Sequence, residues 1–125
     1  MITINNKDTS TSAFKQLRVN GDQSLLIGPS HSDVVEQKLL LKSVAPKRGN
    51  NQYGNRRSQV ALVNGTSVAD LNGDTVVRNR KISIESSVPV GTTVDDMLKD
   101  AYALSELLRD EAFVTNLFML GLIEY

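Results

Sequence analysis

The period of the hydrophobic pattern changes once along this chain, at Gly91. Between Ser12 and Val90 the apolar residues alternate with polar ones in runs broken by Asn-Gly and Pro; beyond Gly91 they recur every three to four residues. Period two suits a half-buried strand and period 3.6 a helix, and neither pattern can serve the other element. The order predicts an α+β chain: an N-terminal β-hairpin, an antiparallel sheet and two C-terminal helices.

Within the strand region, Ala13 to Val19 and Gln23 to Gly28 flank Asn20-Gly21, a dipeptide that tolerates the backbone of a tight hairpin. Glu36 to Ala45 sets Leu39, Leu41 and Ser43 on one side and Lys38, Leu40, Lys42 and Val44 on the other, and stops at Pro46. Lys47 to Arg57 holds two Gly and four basic residues, the composition of an exposed turn. Ser58 to Val63 resumes a strand, ending at Asn64-Gly65. Thr66 to Thr75 then reads as a ten-residue loop, and Val76 to Val90 as the last strand. Its two sides are Ile82, Ile84 and Val88 against Lys81, Ser83, Glu85 and Ser87.

Thr93 is placed to cap the first helix, with Asp95 and Asp96 in the first turn, where the helix dipole favours anions. Asp110 or Glu111 opens a second helix, Ala112 to Leu120, closed by Gly121. Phe113, Val114, Leu117, Phe118, Met119 and Leu120 cover most of its circumference, whereas the last helix of a small monomer keeps a polar back face. The pattern predicts insertion into a partner, through Phe113, Leu117, Phe118 and Leu120.

The chain is 125 residues long and 40% hydrophobic, enough for one folded domain over residues 1–125, with sheet at 12–90 and helices at 93–121. No Cys and a single His remove thiolate zinc sites, iron–sulfur ligation and nearly every histidine-based metal or triad arrangement. The first ten residues lack the basic and apolar regions of an export signal. The longest apolar stretch, Leu117 to Ile123 across Gly121, falls far short of the roughly 18 residues of a spanning helix. A soluble chain is expected, with no membrane partner.

Three local motifs resemble active sites and fail on chemistry. Gly49 to Gly54 has phosphate-loop glycine spacing, but Asn55-Arg56 stands where Lys and Ser or Thr belong. Asp70, Asn72 and Asp74 open like a calcium loop, yet Thr75 replaces its glycine and Lys81 its final Glu. His31 lies between Ser30 and Ser32 with Asp33 beyond, but a triad is a matter of geometry across a fold, not of adjacency. No metal, no cofactor and no catalysis are expected; a small hydrolase, weakly supported by His31 and the scattered Asp residues, is a rival.

The net charge of zero hides a partition. Residues 1–81 carry 12 Lys and Arg against 6 Asp and Glu, and residues 82–125 carry 2 against 8. Such asymmetry predicts a basic surface for a polyanion and an acidic part facing elsewhere.

In order and spacing the elements resemble the coat proteins of the single-stranded RNA bacteriophages, the levivirus-like family, over nearly the whole chain. The stretches that carry the likeness are Asn55-Arg56-Arg57 entering the middle strand, the run from Asn79 to Thr93 with Glu85 and Pro89, and the final Leu122 to Tyr125. The resemblance implies an interlocked dimer whose sheets join edge to edge and whose helices pack on the partner subunit. It further implies assembly into an icosahedral virion shell in the bacterial host cytoplasm, around single-stranded genomic RNA and with a phage maturation protein as a further partner.

It assigns RNA contact, including contact with a hairpin whose binding represses translation, to Lys38, Leu40, Lys42, Gln59, Ala61, Lys81, Ser83 and Glu85, with Arg56 and Arg57 beside them. It assigns contacts between dimers to the loop bearing Asp70, Asn72, Gly73 and Asp74. Position 81 is Lys where well-known members carry an aromatic able to stack on a base, which leaves Lys and Arg as the main RNA contacts. A β-sheet nucleic-acid-binding dimer that builds no shell is the alternative.

Overall fold

A computed structural model describes residues 1–50 and 53–123. Asn51 and Gln52, within the basic turn and its phosphate-loop-like motif, and Glu124 and Tyr125, within the terminal stretch of the resemblance, lie outside the described residues. The chain divides into two compact units, Met1–Val90 and Gly91–Tyr125.

The first unit is a six-stranded antiparallel sheet in chain order: β1 (Ile2–Asn5), β2 (Thr11–Asn20), β3 (Gln23–Ile27), β4 (Gln37–Val44), β5 (Asn55–Ala69) and β6 (Thr75–Pro89). Such a meander needs only short connections, because each strand pairs with the next in sequence. The β2–β3 hairpin is where the sequence puts it. Asn20 pairs with Gln23, however, so the two turn residues are Gly21 and Asp22 and not Asn20-Gly21.

β1 is an addition to the expected strands. Ile2 pairs with Phe14 and Asn5 with Thr11, across a turn tied by Asn6 and Asp8. The Asp8 carboxylate accepts from the Ser10 hydroxyl and the Ser10 N–H, which holds its carboxyl below the usual carboxylate range.

The β5–β6 hairpin departs most from expectation. Both strands are 15 residues long, and the connecting tip is Asp70 to Asp74, not Thr66 to Thr75. Asn64-Gly65, which resembles a turn, pairs in register with Arg80 and Asn79 inside the ladder. A side chain at position 65 would meet Val35 Cγ1 at 2.9 Å and the Glu36 nitrogen at 3.2 Å, and the Gly65 N–H donates to the Glu36 carbonyl at 2.7 Å. The glycine is there for the close approach of the chain entering β4, not for a bend.

The sheet's core lies on one face: Phe14, Leu26 and Leu39 are buried, with Ile4, Leu41 and Leu62 packed against them. Farther along the same face Val60 and Ile82 remain exposed at 36% and 41%. At β6 the sheet ends on a 15-residue strand paired on one side only.

The second unit is α1 (Val94–Arg109), α2 (Glu111–Val114) and a π-helical turn, Thr115–Met119. Thr93 caps α1 as predicted, its hydroxyl accepting from the Asp96 N–H at 3.2 Å. Asp110 Oδ1 accepts from Ala112 and Phe113 N–H and opens α2. The single α-helix expected over 112–120 instead widens after Val114, the Leu120 N–H reaching back to the Thr115 carbonyl. No described helix is long and apolar enough to cross a membrane.

Candidate nucleic-acid interface

Alternation along three strands brings most of the expected RNA-facing residues onto one side of the sheet. Lys38, Val63 and Lys81 stand directly across from one another on β4, β5 and β6, as do Leu40, Ala61 and Ser83, and then Lys42, Gln59 and Glu85. Arg57, between Val44 and Ser87, extends this face toward the β4–β5 turn. The ladders here run without a bulge, so parity alone fixes the side of every residue.

Arg56 falls on the other face: its guanidinium donates to Ser43 Oγ at 3.1 Å, in the row that carries Leu41. Neighbours in sequence, Arg56 and Arg57 therefore serve opposite sides. Ala61 is on the polar face but only 2% exposed, and Val63 is 5% exposed, so both act as floor.

A depression of about 220 Å³ opens on this face. Leu25, Leu40 and Ala61 line it together with Arg18, Asn20, Gln23, Lys42, Gln59 and Lys81. Sequence reading missed Arg18, Asn20 and Gln23. They come from the β2–β3 hairpin, and Arg18 faces this side because it pairs with Leu25 after a register shift between Gln16 and Arg18 that no local pattern announces.

The cations of this face differ in what surrounds them. Lys38 Nζ sits 3.2 Å from Glu36 Oε2, and the same oxygen accepts from Asn79 Nδ2 at 2.9 Å. Lys42 and Lys81 have no carboxylate partner among the described residues, and both are exposed. A phosphate near the depression would meet two uncompensated ammonium groups and a guanidinium over an apolar floor. Such a face attracts polyanions.

The remaining candidates sort by geometry. At the β5–β6 tip, Asp70 Oδ1 accepts from the Asn72 and Asp74 N–H groups at 2.9 Å each, so this carboxylate closes its own loop. No cluster of three or more metal-ligating side chains occurs among the described residues. His31 Nδ1 accepts the Gln37 N–H at 3.1 Å, which closes the connection between β3 and β4. In the helical unit Phe118 is 52% and Leu120 64% exposed, Phe113 and Leu117 are half-buried, and no described residue is buried.

No protein-family profile matches the chain, and no curated protein does. Solved structures do. The chain of a virus-like particle of Wenzhou levi-like virus 4 is 27% identical, with a TM-score of 0.77 over 90% of this chain and 78% of that one. That of Beihai levi-like virus 32 is 23% identical, with a TM-score of 0.79 over 90% and 88%. That of bacteriophage AVE019 is 16% identical, with a TM-score of 0.77 over 99% and 96%. Over nearly its whole length the chain thus shares its fold with the chains of these levi-like virus particles, a likeness consistent with a coat protein of the levivirus-like kind.

Proposed function

We propose that the chain works as a single coat domain that forms a homodimer, builds an icosahedral shell and packages single-stranded RNA against the polar face of its sheet. The depression floored by Leu25, Leu40 and Ala61 and rimmed by Arg18, Lys42 and Lys81 is the observation that supports RNA. The dimer answers two needs of the isolated chain. Pairing β6 with a second β6 removes a long edge that would otherwise recruit other strands. Helices laid over the partner's sheet would cover Val60 and Ile82 as well as the apolar side of the helical unit.

Assembly takes place in the host cytoplasm, with a maturation protein joining the virion. Binding of an RNA hairpin on the same face would let free dimers repress translation. Shells seen by electron microscopy of the protein expressed alone separate this reading from a nucleic-acid-binding dimer that builds none.

Affinity of full-length dimers for short RNA should fall steeply with salt, because each neutralised phosphate releases counterions. Lys42→Ala and Lys81→Ala should each lower the slope of log K against log salt by about one. Lys38→Ala should lower it less, since Glu36 already neutralises Lys38 in part. Lys99→Ala, whose ammonium pairs with Asp95 at 3.3 Å in the acidic helical unit, should leave it unchanged. Equal losses for Lys99 and the sheet lysines, or no salt dependence, would remove the polar face from the reading.

Shell contacts are assigned to the β5–β6 tip, where Leu71 is fully exposed between Asp70 and Asn72. Removing Asn72 and Gly73 should leave dimers intact while particles break down at lower temperature and lower salt, as followed by light scattering. Particles as resistant as the parent's would free the tip of that role.

A further inference from the structure

We infer that Tyr53 and Arg48, at the turn between β4 and β5, form a stacking site for an unpaired RNA base. The inference rests on the RNA-packaging reading and adds a contact point outside the depression.

Charge is the first support. From Gln37 to Ala69 the chain has no Asp or Glu, while Lys38, Lys42, Lys47, Arg48, Arg56 and Arg57 all fall in that span. Aromatic content is the second. The sheet unit holds only two aromatic residues, Phe14 and Tyr53; Phe14 is 2% exposed in the core, whereas Tyr53 is 65% exposed. If a base stacks on a ring of the sheet unit, that ring is Tyr53.

Geometry is the third support. The Arg48 guanidinium carbon lies over the Tyr53 ring, 5.5 Å from its centroid. The two arms of the turn are held close: Gly54 has a φ of 78°, and the Lys47 carbonyl comes so near that a side chain at position 54 would collide with it. The Val90 N–H donates to the Gly54 carbonyl at 3.3 Å and ties this end of the turn to the end of β6. Ring and guanidinium are thus assembled before any ligand arrives, which lowers the ordering cost of binding. A planar base can stack on this pair while Lys47 and Arg57 neutralise the flanking phosphates. Such stacking tolerates any base, as packaging of a whole genome requires.

The test uses full-length protein below its particle-forming concentration and two single-stranded RNA oligonucleotides, one carrying 2-aminopurine and one abasic at the same position. Tyr53→Ala should bind the 2-aminopurine strand about five- to a hundredfold more weakly and lose the quenching of its fluorescence. Tyr53→Phe should keep both within about twofold, and the abasic strand should not distinguish the three proteins. Parent-like affinity and quenching in Tyr53→Ala would overturn the stacking site and leave RNA packaging standing. Equal losses on both strands would overturn it too, showing that the ring only supports the turn. A parent that binds neither strand would overturn the packaging reading itself.

Discussion

Phe118→Asp should abolish the dimer and with it every particle. Phe118 is 52% exposed in the protomer, and its neighbours Met119, Leu120, Leu122 and Ile123 are exposed by 51% or more. A contiguous exposed apolar surface of this kind marks an interaction site, and in the proposed dimer the ring is buried there. A carboxylate there has no partner among Phe113, Leu117 and Leu120, and an uncompensated buried charge costs on the order of 3 to 5 kcal/mol. Two-fold symmetry places the cost twice in each dimer, against a total stability of about 5 to 15 kcal/mol for an ordinary domain. Size-exclusion chromatography with circular dichroism is the measurement, and aggregated or unfolded protein the expected result. Phe118→Leu, which keeps an apolar side chain, should still assemble. Folded, soluble monomer from Phe118→Asp would mean that the helices do not enter a partner.

Phe14→Ala is the second large effect, and it acts within one protomer. The ring is 2% exposed and packs among Leu26 and Leu39, with Ile4, Leu41 and Leu62 around it. Truncation removes the transfer free energy of the ring and leaves a cavity that flanking strands cannot close without breaking ladder bonds; the usual cost is about 3 to 5 kcal/mol. Because Phe14 pairs with Ile2, the loss should also release β1, the edge that is held by only four residue pairs. Urea unfolding at fixed protein concentration should show a much lower midpoint, and hydrogen exchange should show early loss of protection over Ile2–Asn5. Val34→Ala, 73% exposed, should stay within about 0.5 kcal/mol of the parent. Similar midpoints for the two variants would mean that the sheet's core lies elsewhere.

Much of this protein is written locally. The change of period at Gly91, the Thr93 cap, the Asp110 cap and the alternation of β4 are signals carried within a few residues, and each holds in the folded chain. Once β4, β5 and β6 pair without a bulge, the same alternation assigns Lys38, Lys42, Gln59, Lys81, Ser83 and Glu85 to one face, so most of the candidate interface was legible from residue parity. Sequence determined these because hydrogen-bond satisfaction and side-chain periodicity act over one helical turn or one strand repeat.

Only the tertiary structure decided the rest. Asn64-Gly65 passes through a strand and not a turn because Val35 and Glu36 close on it from the chain entering β4, a contact across some thirty residues. β1, whose Ile2, Thr3 and Ile4 are strand formers in a run too short to stand alone, exists because β2 offers it a ladder. Arg18 reaches the depression through a register shift, and Ala61 becomes floor because neighbouring strands bury it. In each case the deciding partner is distant in the chain. Its influence appears only when strands are laid side by side and their backbone groups and side chains compete for the same space.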